Sequence, residues 1–554
     1  MIDIRECTRE DIEQLWEICK NHSQEEFQMW GGDFVYDYPP KLKQMVRRIA
    51  DSKDTKLFAV EKFGRVIGFA EITNINAVKG VGELSRILLR QEERGKRYGS
   101  QAIDQLIAYA VQELGLNEMT LIVYSFNHRA RRCYEKLGFV YERKLVRPNR
   151  PEAIRMKIDI RGRKKVSQIH NFDETVNRWG TGCKKYAADG YSEEVLPMWI
   201  ADTDFKSPQP VIDALKKRID HGVYGYPVVS QEFKKAIQYW QKIRFNWDIP
   251  MEAVEFIPGV IPGIICAMRA LSCPGDNIVI HSPCYPPFRD LASHNGRHLL
   301  ASRLKVINGQ YRIDFEDLEQ KLSDIRTKLF ILCNPQNPTG RVFDLEELKR
   351  IGELCVKYQV VVLSDEIHGD LVYKGYKHVP FASISKEFAD NSIIFVNASK
   401  TFNTAGFRTA GLICLNPHMK ALVHEAILDN KGIGENIGGT TAAIAAYNHC
   451  SYYADQLVDY LEGNLDIVCD ELRKTDKIQL IRPEGTYLLW LDCRKLAMSE
   501  SQLVDFFEKK AKLRFNNGTS FGLEGTGFMR MNIATQRVNV QEAMRRILEA
   551  LQSL

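Results

Sequence analysis

The second half of the chain repeats short strands that are apolar on both faces, with a helical segment between one strand and the next. Strands of this kind are buried on both sides, which favours a parallel or mixed sheet covered by helices on both faces. The predicted strands lie at 277–281, 328–333, 360–364, 392–396 and 410–414. From about residue 450 the pattern changes and predicts a smaller α/β lobe. The predicted elements of this lobe lie at 452–474, 487–491 and 540–551.

A separate pattern occupies the start of the chain, and 554 residues are too many for a single core. The pattern of residues 1–162 predicts a small α/β unit. Its predicted helices lie at 11–21, 100–114 and 128–136, and its strands at 57–61, 66–72, 83–89, 119–124 and 153–160. A basic run at 161–165 indicates a linker, placed at 163–168, and residues 169–554 form the second domain. The smaller lobe of that domain would combine its N-terminal segment with about 450–554.

Composition narrows the class of protein. The chain is 44% hydrophobic and 27% charged with a net charge of +5, which is typical of a globular protein without a nucleic-acid-binding surface. No apolar run approaches the length of a membrane span, and no apolar leader follows the charged start. The 13 cysteines are scattered without a C-x-x-C pair, which favours free thiols in a reducing compartment and no metal site. We therefore expect a cytoplasmic location and neither a nucleic-acid nor a membrane partner.

Reactive side chains follow the predicted strands of the second domain. Lys400 lies in the segment 397–408 (NASKTFNTAGFR), and Asp365 lies in 364–368 (SDEIH). A lysine and an aspartate so placed predict that Lys400 carries pyridoxal 5′-phosphate (PLP) as a Schiff base and that Asp365 holds the pyridine nitrogen protonated. Singly, Lys400 could be a surface lysine and Asp365 a helix N-cap. Ligands of open α/β sheets bind beyond the carboxyl ends of the strands, which favours the joint interpretation.

Several motifs carry a resemblance over roughly residues 168–554. This region resembles the fold-type I PLP enzymes of aminotransferase class I/II. More narrowly, it resembles the cystathionine β-lyases and cysteine-S-conjugate β-lyases. The matching motifs are 197–205 (PMWIADTDF), 224–227 (YGYP), 364–371 (SDEIHGDL), 378–381 (HVPF) and 399–403 (SKTFN).

The resemblance implies a role for each matching residue. Lys400 would form the Schiff base and then remove the α-proton, Asp365 would pair with the pyridine nitrogen, and Arg530 would clamp the substrate carboxylate. Tyr285 would lie on the cofactor ring, and Asn337 and His368 would face its 3′-oxygen. The implied phosphate contacts are the amides of Val260 and Ile261, the side chains of Ser399 and Arg408, and Tyr226 of a partner subunit. The last contact implies a homodimer.

Some positions depart from the family pattern or leave the reaction open. Asn397 stands where a serine is common, and its amide could still donate to the phosphate. Residues 447–450 (YNHC) also differ from the usual helix of the lyase branch. Many aminotransferases have a tyrosine at the position of His368, so the histidine favours the lyases. A sulfur leaving group on the β-carbon would give thiol, pyruvate and ammonia, whereas its absence would permit transamination.

The first domain has its own motifs. Residues 88–100 (LLRQEERGKRYGS) pass from a strand into a helix, and the N–H groups at a helix start suit a pyrophosphate. With residues 127–139 (NHRARRCYEKLGF), this region resembles the GNAT superfamily of acyl-CoA N-acyltransferases over roughly 1–160. The resemblance implies acetyl-CoA as the acyl donor. The implied acetyl-CoA contacts are Arg94, Gly95, Arg97, Gly99 and Ser100 at the pyrophosphate and Asn127 near the pantetheine arm.

Tyr134 would be the catalytic residue of this domain, placed to protonate the departing thiolate; the alternative is a packed aromatic side chain. Arg97 departs from the usual R-x-x-G-x-G/A pattern, which has glycine there. Glu71 and Glu83 are conceivable bases for the acceptor amine, although carboxylates on a strand face are more often simply solvated.

The leading hypothesis is a carbon–sulfur β-lyase that acts on a small amino acid, fused to an N-acetyltransferase. The alternative is a PLP-dependent aminotransferase whose GNAT domain only binds its ligand or regulates.

Overall fold

The computed structural model describes residues 2–8, 11–20, 23–29, 36–44, 54–62, 65–96, 98–148, 150–161, 170–187, 193–228, 230–430 and 434–554. It divides into two compact units, Met1–Gln168 and Ile169–Leu554. The linker predicted at 163–168 lies outside the described residues. In the part of the chain that is described, no helix combines the length and apolarity needed to cross a membrane.

The first unit is built on a seven-stranded sheet. Its strands are β1 (Asp3–Glu6), β2 (Lys56–Lys62), β3 (Arg65–Asn76), β4 (Val81–Leu89), β5 (Glu118–Tyr124), β6 (Val140–Leu145) and β7 (Ala153–Asp159). They are ordered β1-β2-β3-β4-β5-β7-β6, with β4 and β5 parallel and the other neighbours antiparallel. The helices are Ile12–Lys20, Gln24–Met29, Tyr98–Gln112 and His128–Lys136. The sequence predicted the inner strands but neither β1 nor β6. The strand β6 lies at the edge of the sheet and is exposed at nearly every residue, so it has no alternating apolar pattern that would reveal it.

The core of the first unit lies between this sheet and the helix Tyr98–Gln112. Leu106 and Ala110 of the helix are fully buried with Phe58 and Met119 of the sheet. Their spacing of four residues places both on one helix face, as expected for an amphipathic helix on a sheet. The packing fixes the start of the helix beside the end of β4.

The second unit contains the predicted mixed sheet, with eight strands. They are β9 (Val254–Ile257), β10 (Asn277–Ser282), β11 (His298–Ile307), β12 (Gln310–Ile313), β13 (Thr327–Cys333), β14 (Val361–Asp365), β15 (Ser392–Val396) and β16 (Ala410–Ile413). The order is β12-β11-β10-β13-β14-β15-β16-β9, with parallel pairing from β11 through β15. The strands β9, β11 and β12, which were not predicted, lie toward the two edges. The α/β fold class is confirmed.

Helices accompany the large sheet and the smaller lobe. They are Gln209–Asp220, Gln231–Phe245, Val260–Leu271, Pro286–His294, Phe315–Leu322, Leu345–Lys357, Lys386–Asp390, Ser399–Phe402, Pro417–Asp429, Ile437–His449, Ser451–Leu472, Glu500–Asp505 and Arg537–Gln552. Two buried clusters of apolar side chains pack between these helices and the strands. The central strands are therefore covered on both faces, as their composition predicts.

The smaller lobe is formed by segments distant in sequence. Its strands are β17 (Gln479–Leu480), β18 (Leu488–Asp492), β20 (Asn516–Asn517) and β21 (Phe528–Asn532), in the antiparallel order β17-β18-β21-β20. A further parallel pair joins β8 (Leu196–Pro197) to β19 (Leu513–Arg514). The start of the second unit is thereby tied to its C-terminal part.

Candidate active sites

Four parallel strands bring the predicted residues of the second unit to one sheet edge. Asp365 is the last residue of β14 and is paired in register with Cys333 at the end of β13 and Phe395 near the end of β15. The other predicted residues of this edge follow strand ends: Tyr285 after β10, Asn337 after β13, His368 after β14 and Lys400 after β15. This is the edge at which open α/β sheets bind ligands.

Lys400 lies in the short helix Ser399–Phe402, and its Nζ donates to the carbonyl oxygen of Ala201 at 2.7 Å. The hydroxyl of Tyr487 donates to the same oxygen at 3.2 Å. Burial, reinforced by the Arg530 cation, lowers the pKa of Lys400 to about 8. A lysine with this pKa has a substantial neutral fraction near neutral pH, as a nucleophile or base requires.

Asp365 is buried, and the backbone N–H of Ile367 donates to its Oδ1 at 3.2 Å. Burial raises its pKa to about 7, because the structure offers the carboxylate little compensation for lost hydration. A protonated ring nitrogen of a cofactor would supply the missing positive charge. The buried acid therefore fits the predicted contact with PLP.

The pKa of Asp365 gives a testable pH dependence for the protein without cofactor. An unfolded aspartate titrates near pH 4, so between about pH 4 and pH 7 the folded state binds more protons than the unfolded state. The free energy of unfolding should therefore fall as pH rises through this range and level off above it. Thermal unfolding of PLP-free protein from pH 4 to 8 measures the slope, and Asp365→Asn should make it shallower. An equal slope in the two proteins would contradict the assignment.

His368, Asn337 and Tyr285 complete the predicted surroundings of the ring. His368 is buried, and burial together with the Lys400 and Arg530 cations lowers its pKa well below the usual value. Its Nδ1 has no hydrogen-bond partner among the described residues. Tyr285 packs edge-on against Phe288 with ring centroids 5.5 Å apart, and burial raises its pKa. A neutral histidine with an unpaired ring nitrogen remains available to a ligand.

Arg530, in β21, is a buried cation. Its Nη1 donates to Asn337 Oδ1 at 3.0 Å, and its Nη2 donates to the Trp199 carbonyl at 3.0 Å and to Asn516 Oδ1 at 2.7 Å. Within the described residues it has no carboxylate ion-pair partner, and its buried Nε has no acceptor. Burial lowers its pKa to about 10. A buried guanidinium without a counter-ion fits a ligand carboxylate.

The predicted phosphate contacts are separate backbone and side-chain donors. The helix Val260–Leu271 begins after Gly259, whose φ of 123° strongly favours glycine, and the N–H groups of Val260 and Ile261 lie in its first turn. Arg408 is exposed, has a φ of 45° and forms no ion pair with a described residue. Strained backbone of this kind is frequent at ligand clamps.

Three predicted phosphate contacts, Asn397, Ser399 and Tyr226, differ in their surroundings. Asn397 uses its Oδ1 to accept the Ser399 backbone N–H at 2.7 Å, so its side chain orders the turn before Lys400. The Ser399 side chain lies buried in the same turn. Tyr226 is fully exposed in the single chain and forms no hydrogen bond or ring contact with a described residue.

Sequence reasoning missed the backbone contacts of the segment 199–205, called here the strap, which supplies the Ala201 carbonyl. Asn403 Nδ2 donates to the Thr203 and Phe205 carbonyls at 2.9 Å each. Asn532 Nδ2 donates to the Ile200 and Asp202 carbonyls at 2.6 and 2.7 Å. The strap is thus held from both sides by amides near Lys400 and Arg530. The motif 197–205 marked the segment, but sequence alone gave no backbone contact.

Two cations, the largely buried Arg178 and the fully buried Lys185, also hold the strap. Arg178 Nη1 pairs with Asp204 at 2.6 Å, and its Nη2 pairs with Asp202 at 2.8 Å. Lys185, 1% exposed, pairs with Asp204 at 3.0 Å. Desolvated charges of this kind require their partners, so the four side chains form one structural unit.

The first unit contains a cavity of about 1280 Å³ between β4 and β5. The two strands pair over residues 81–84 and 118–121, and the cavity is lined by the following residues of each. The predicted residues that line it are Arg94, Gly95, Gly99, Ser100, Asn127 and Tyr134. Among the charged residues that line it, seven are basic and three are acidic; the basic ones are Arg86, Arg94, Arg129, Arg132, Lys136, Arg147 and Arg150. The cavity suits an elongated anionic ligand.

The structure refines the predicted helix-start site. The helix begins at Tyr98, so the amides of Gly99 and Ser100 lie in its first turn. The backbone N–H of Arg94 donates to the Gln91 carbonyl at 3.2 Å, within the turn that precedes the helix. The Arg94 side chain pairs with Glu26 at 3.0 Å. Arg97 lies outside the described residues.

Tyr134 lies on the short helix His128–Lys136, and Asn127 lies at the start of this helix. Burial raises the pKa of Tyr134, which keeps its hydroxyl protonated. Its ring also packs on Phe139 at 5.9 Å, so the structural and the catalytic interpretation are compatible. Asn127 is the N-cap, and its Oδ1 accepts the Ala130 N–H at 3.1 Å. Because only the Oδ1 of Asn127 forms this cap, its side-chain Nδ2 remains available to a ligand.

The two candidate bases differ in their surroundings. Glu71 is fully buried and pairs with Arg86 at 2.7 Å, which makes it a structural carboxylate. Glu83 lines the cavity and is only half-buried.

Comparison with known families agrees with this geometry. Residues 196–547 match the family of aminotransferase class I and II, and residues 16–139 match the acetyltransferase (GNAT) family. The first match covers more than half of the chain. The protein therefore belongs to the aminotransferase class I and II family and carries a GNAT acetyltransferase domain in front of that region.

Individual relatives point to carbon–sulfur lyases. The chain is 40% identical over 387 residues to the cystathionine β-lyase PatB of Bacillus subtilis (strain 168), covering 69% of this chain and all of PatB. Cystalysin of Treponema denticola, whose structure contains PLP, has a TM-score of 0.68 and 34% identity over 70% of this chain and 99% of its own. The PLP-bound C–S lyase of Staphylococcus hominis has a TM-score of 0.65 and 31% identity over 69% and 98% of the respective chains.

Proposed function

We propose that the second unit is a PLP-dependent carbon–sulfur β-lyase, which converts L-cystathionine or an S-substituted cysteine to thiol, pyruvate and ammonia. The observation that carries the proposal is Arg530, a buried guanidinium without a carboxylate partner among the described residues, linked through Asn337 to the sheet edge of Asp365 and Lys400. An amino-acid carboxylate would supply the missing counter-ion. The names of the relatives favour cleavage of a carbon–sulfur bond.

The residues at the sheet edge fit PLP. Asp365 would hold the ring nitrogen, His368 and Asn337 would face the 3′-oxygen, and Tyr285 would lie on the ring. The phosphate would be held by the amides of Val260 and Ile261 and by Ser399 and Arg408. When bound there, PLP would stabilise the negative charge that develops on the α-carbon of the substrate.

The protein supplies the proton transfer and the orientation. Lys400 Nζ, with a pKa of about 8, would accept the α-proton of the substrate. Arg530 would fix the carboxylate, and so direct the α-hydrogen toward Lys400. Loss of the sulfur substituent from the β-carbon then gives the thiol, and hydrolysis gives pyruvate and ammonia.

We further propose a cytoplasmic homodimer. Val223, Tyr224, Tyr226 and Val228 are all strongly exposed in the single chain. An exposed apolar stretch that contains a predicted ligand contact is explained if a second copy covers it and receives Tyr226 at its phosphate site. The 13 free cysteines suit a reducing compartment.

For the first unit we propose acetyl-CoA-dependent N-acetylation of a small amine. The basic cavity of about 1280 Å³ and the helix start at Tyr98 would hold the donor. Tyr134 would protonate the departing thiolate, since its raised pKa keeps the proton on the hydroxyl until then.

L-Cystathionine given to PLP-loaded protein without a keto acid tests the lyase. Pyruvate and free thiol should appear in equal amounts. If neither appears, but turnover begins once a keto acid is added, the second unit is an aminotransferase instead.

Tyr134→Phe tests the first unit. Removal of the hydroxyl should lower kcat for acetyl transfer by about 100-fold and leave the dissociation constant of acetyl-CoA nearly unchanged, because the ring still packs on Phe139. Thiol release from acetyl-CoA with a panel of amines measures kcat, and calorimetry measures binding. Unchanged kcat would assign the tyrosine to packing alone, and absence of acetyl-CoA binding to either protein would refute the donor assignment.

A further inference from the structure

The segment 518–527, called here the β20–β21 loop, lies against the substrate-carboxylate candidate Arg530. Phe521 of this loop is 1% exposed. Its ring centroid lies 4.7 Å from the Arg530 guanidinium carbon and 5.3 Å from the Trp490 ring. The loop therefore supplies an aromatic wall to a cation that lacks a charged partner among the described residues.

The β20–β21 loop is closed tightly on itself. A Cβ atom on Gly518 would lie 2.2 Å from the Gly525 carbonyl oxygen, and one on Gly525 would lie 2.0 Å from that of Gly518. These distances are too short for any other residue without a backbone shift. The two ends of the loop thus lie in close contact, and contacts with residues outside the loop hold it against the rest of the second unit.

Glu524 holds the loop to the large sheet. Its Oε2 accepts the Ser282 hydroxyl at 2.6 Å, and its Oε1 pairs with Arg303 Nε at 2.9 Å. Burial opposes ionisation of Glu524, but the Ser282 hydrogen bond and the neighbouring arginines outweigh it and lower its pKa. The backbone N–H of Cys284 donates to the Phe521 carbonyl at 3.0 Å. The loop is therefore attached at the end of β10, immediately before Tyr285.

We propose that Glu524 is a positioning residue for substrate recognition, which acts through Phe521 to hold Arg530 in the orientation that receives the substrate carboxylate. The inference rests on the role proposed for Arg530. Glu524 bonds to the large sheet, whereas Arg530 belongs to the smaller lobe. The tether therefore adds a second link between the cation and the large sheet, beside the direct hydrogen bond from Arg530 to Asn337.

The test uses PLP-loaded protein and two ligands that carry no leaving group on the β-carbon and differ only in the α-carboxylate, L-2-amino-5-phenylpentanoate and 4-phenylbutylamine. Absorbance of the cofactor measures each dissociation constant. Glu524→Ala should weaken the first ligand by about tenfold and leave the second within about twofold, because only the first uses Arg530. Glu524→Gln keeps a hydrogen-bond acceptor for Ser282 and should fall between. Leu523→Ala, at a neighbouring residue 79% exposed, is the matched control and should change neither.

Equal weakening of both ligands by Glu524→Ala, or of neither, would overturn the proposal. Ser282→Ala removes the same hydrogen bond from the other side and replaces Glu524→Ala if that variant does not fold. Where both variants fold, its effect should not add to that of Glu524→Ala, since both break the hydrogen bond between Ser282 and Glu524. Because binding is measured rather than turnover, absence of thiol release would refute the lyase while the ratio of the two dissociation constants still tests Glu524.

Discussion

Lys400→Ala should lower kcat for release of thiol and pyruvate from L-cystathionine by about 10⁴-fold or more. The side chain is the proposed attachment point of PLP and the proposed acceptor of the α-proton, so one change removes both functions. The variant should still fold, because the Nζ makes a single hydrogen bond, to the Ala201 carbonyl at 2.7 Å. Pyruvate and thiol are followed together, and thermal unfolding confirms the fold.

Lys386→Ala is the matched control for this experiment. Lys386 is 86% exposed and forms a surface pair with Asp390, so its loss should leave the rate unchanged. A primary alkylamine added to the Lys400→Ala protein should restore part of the proton transfer. Retention of more than about a tenth of the wild-type kcat by Lys400→Ala would exclude its role as the base.

Arg530→Ala should lower kcat/KM for L-cystathionine by about 10³-fold, which corresponds to two lost charge-assisted hydrogen bonds to the substrate carboxylate. Arg530→Lys retains the charge without the planar fork, so a smaller loss is expected. The matched substrate is the corresponding amine without the α-carboxylate. It should bind wild type and Arg530→Ala with similar dissociation constants. Equal sensitivity of both ligands to the mutation would mean that Arg530 supports the fold rather than the substrate.

Residues close to strand ends could be predicted from the sequence because their position follows from topology. Once β14 and β15 are parallel neighbours, Asp365 and Lys400 must emerge at one edge. Arg530 lies instead on β21 of the smaller lobe, a strand that periodicity did not reveal. The role of Arg530 in binding the substrate carboxylate was inferred from the family resemblance. Only the structure shows that its guanidinium has no carboxylate partner among the described residues.

Contacts through backbone atoms were beyond sequence reasoning. The Ala201 carbonyl that accepts the hydrogen bond from Lys400 Nζ lies about 200 positions upstream. An alanine has no polar side chain, so the sequence contains no signal for this contact. Equally, only the structure shows that the backbone N–H of Arg94 donates to the Gln91 carbonyl within its own turn. The sequence states the chemistry of each side chain directly. The partner of a backbone N–H or C=O group depends instead on the conformation of the folded chain.

The pairing of β8 with β19 has a consequence for the order in which the protein is made. Ribosomal synthesis delivers the first unit complete before most of the second unit exists. Folding of the second unit cannot be completed at that time, because strand residues 196–197 and the strap bond to residues 513–532, which are synthesised later. At typical translation rates of about 5–20 residues per second, that interval is about 16–67 s. During this time the early residues of the second unit stay without their final neighbours, and a nascent chain truncated before residue 513 could bear a folded first unit but not a finished PLP site.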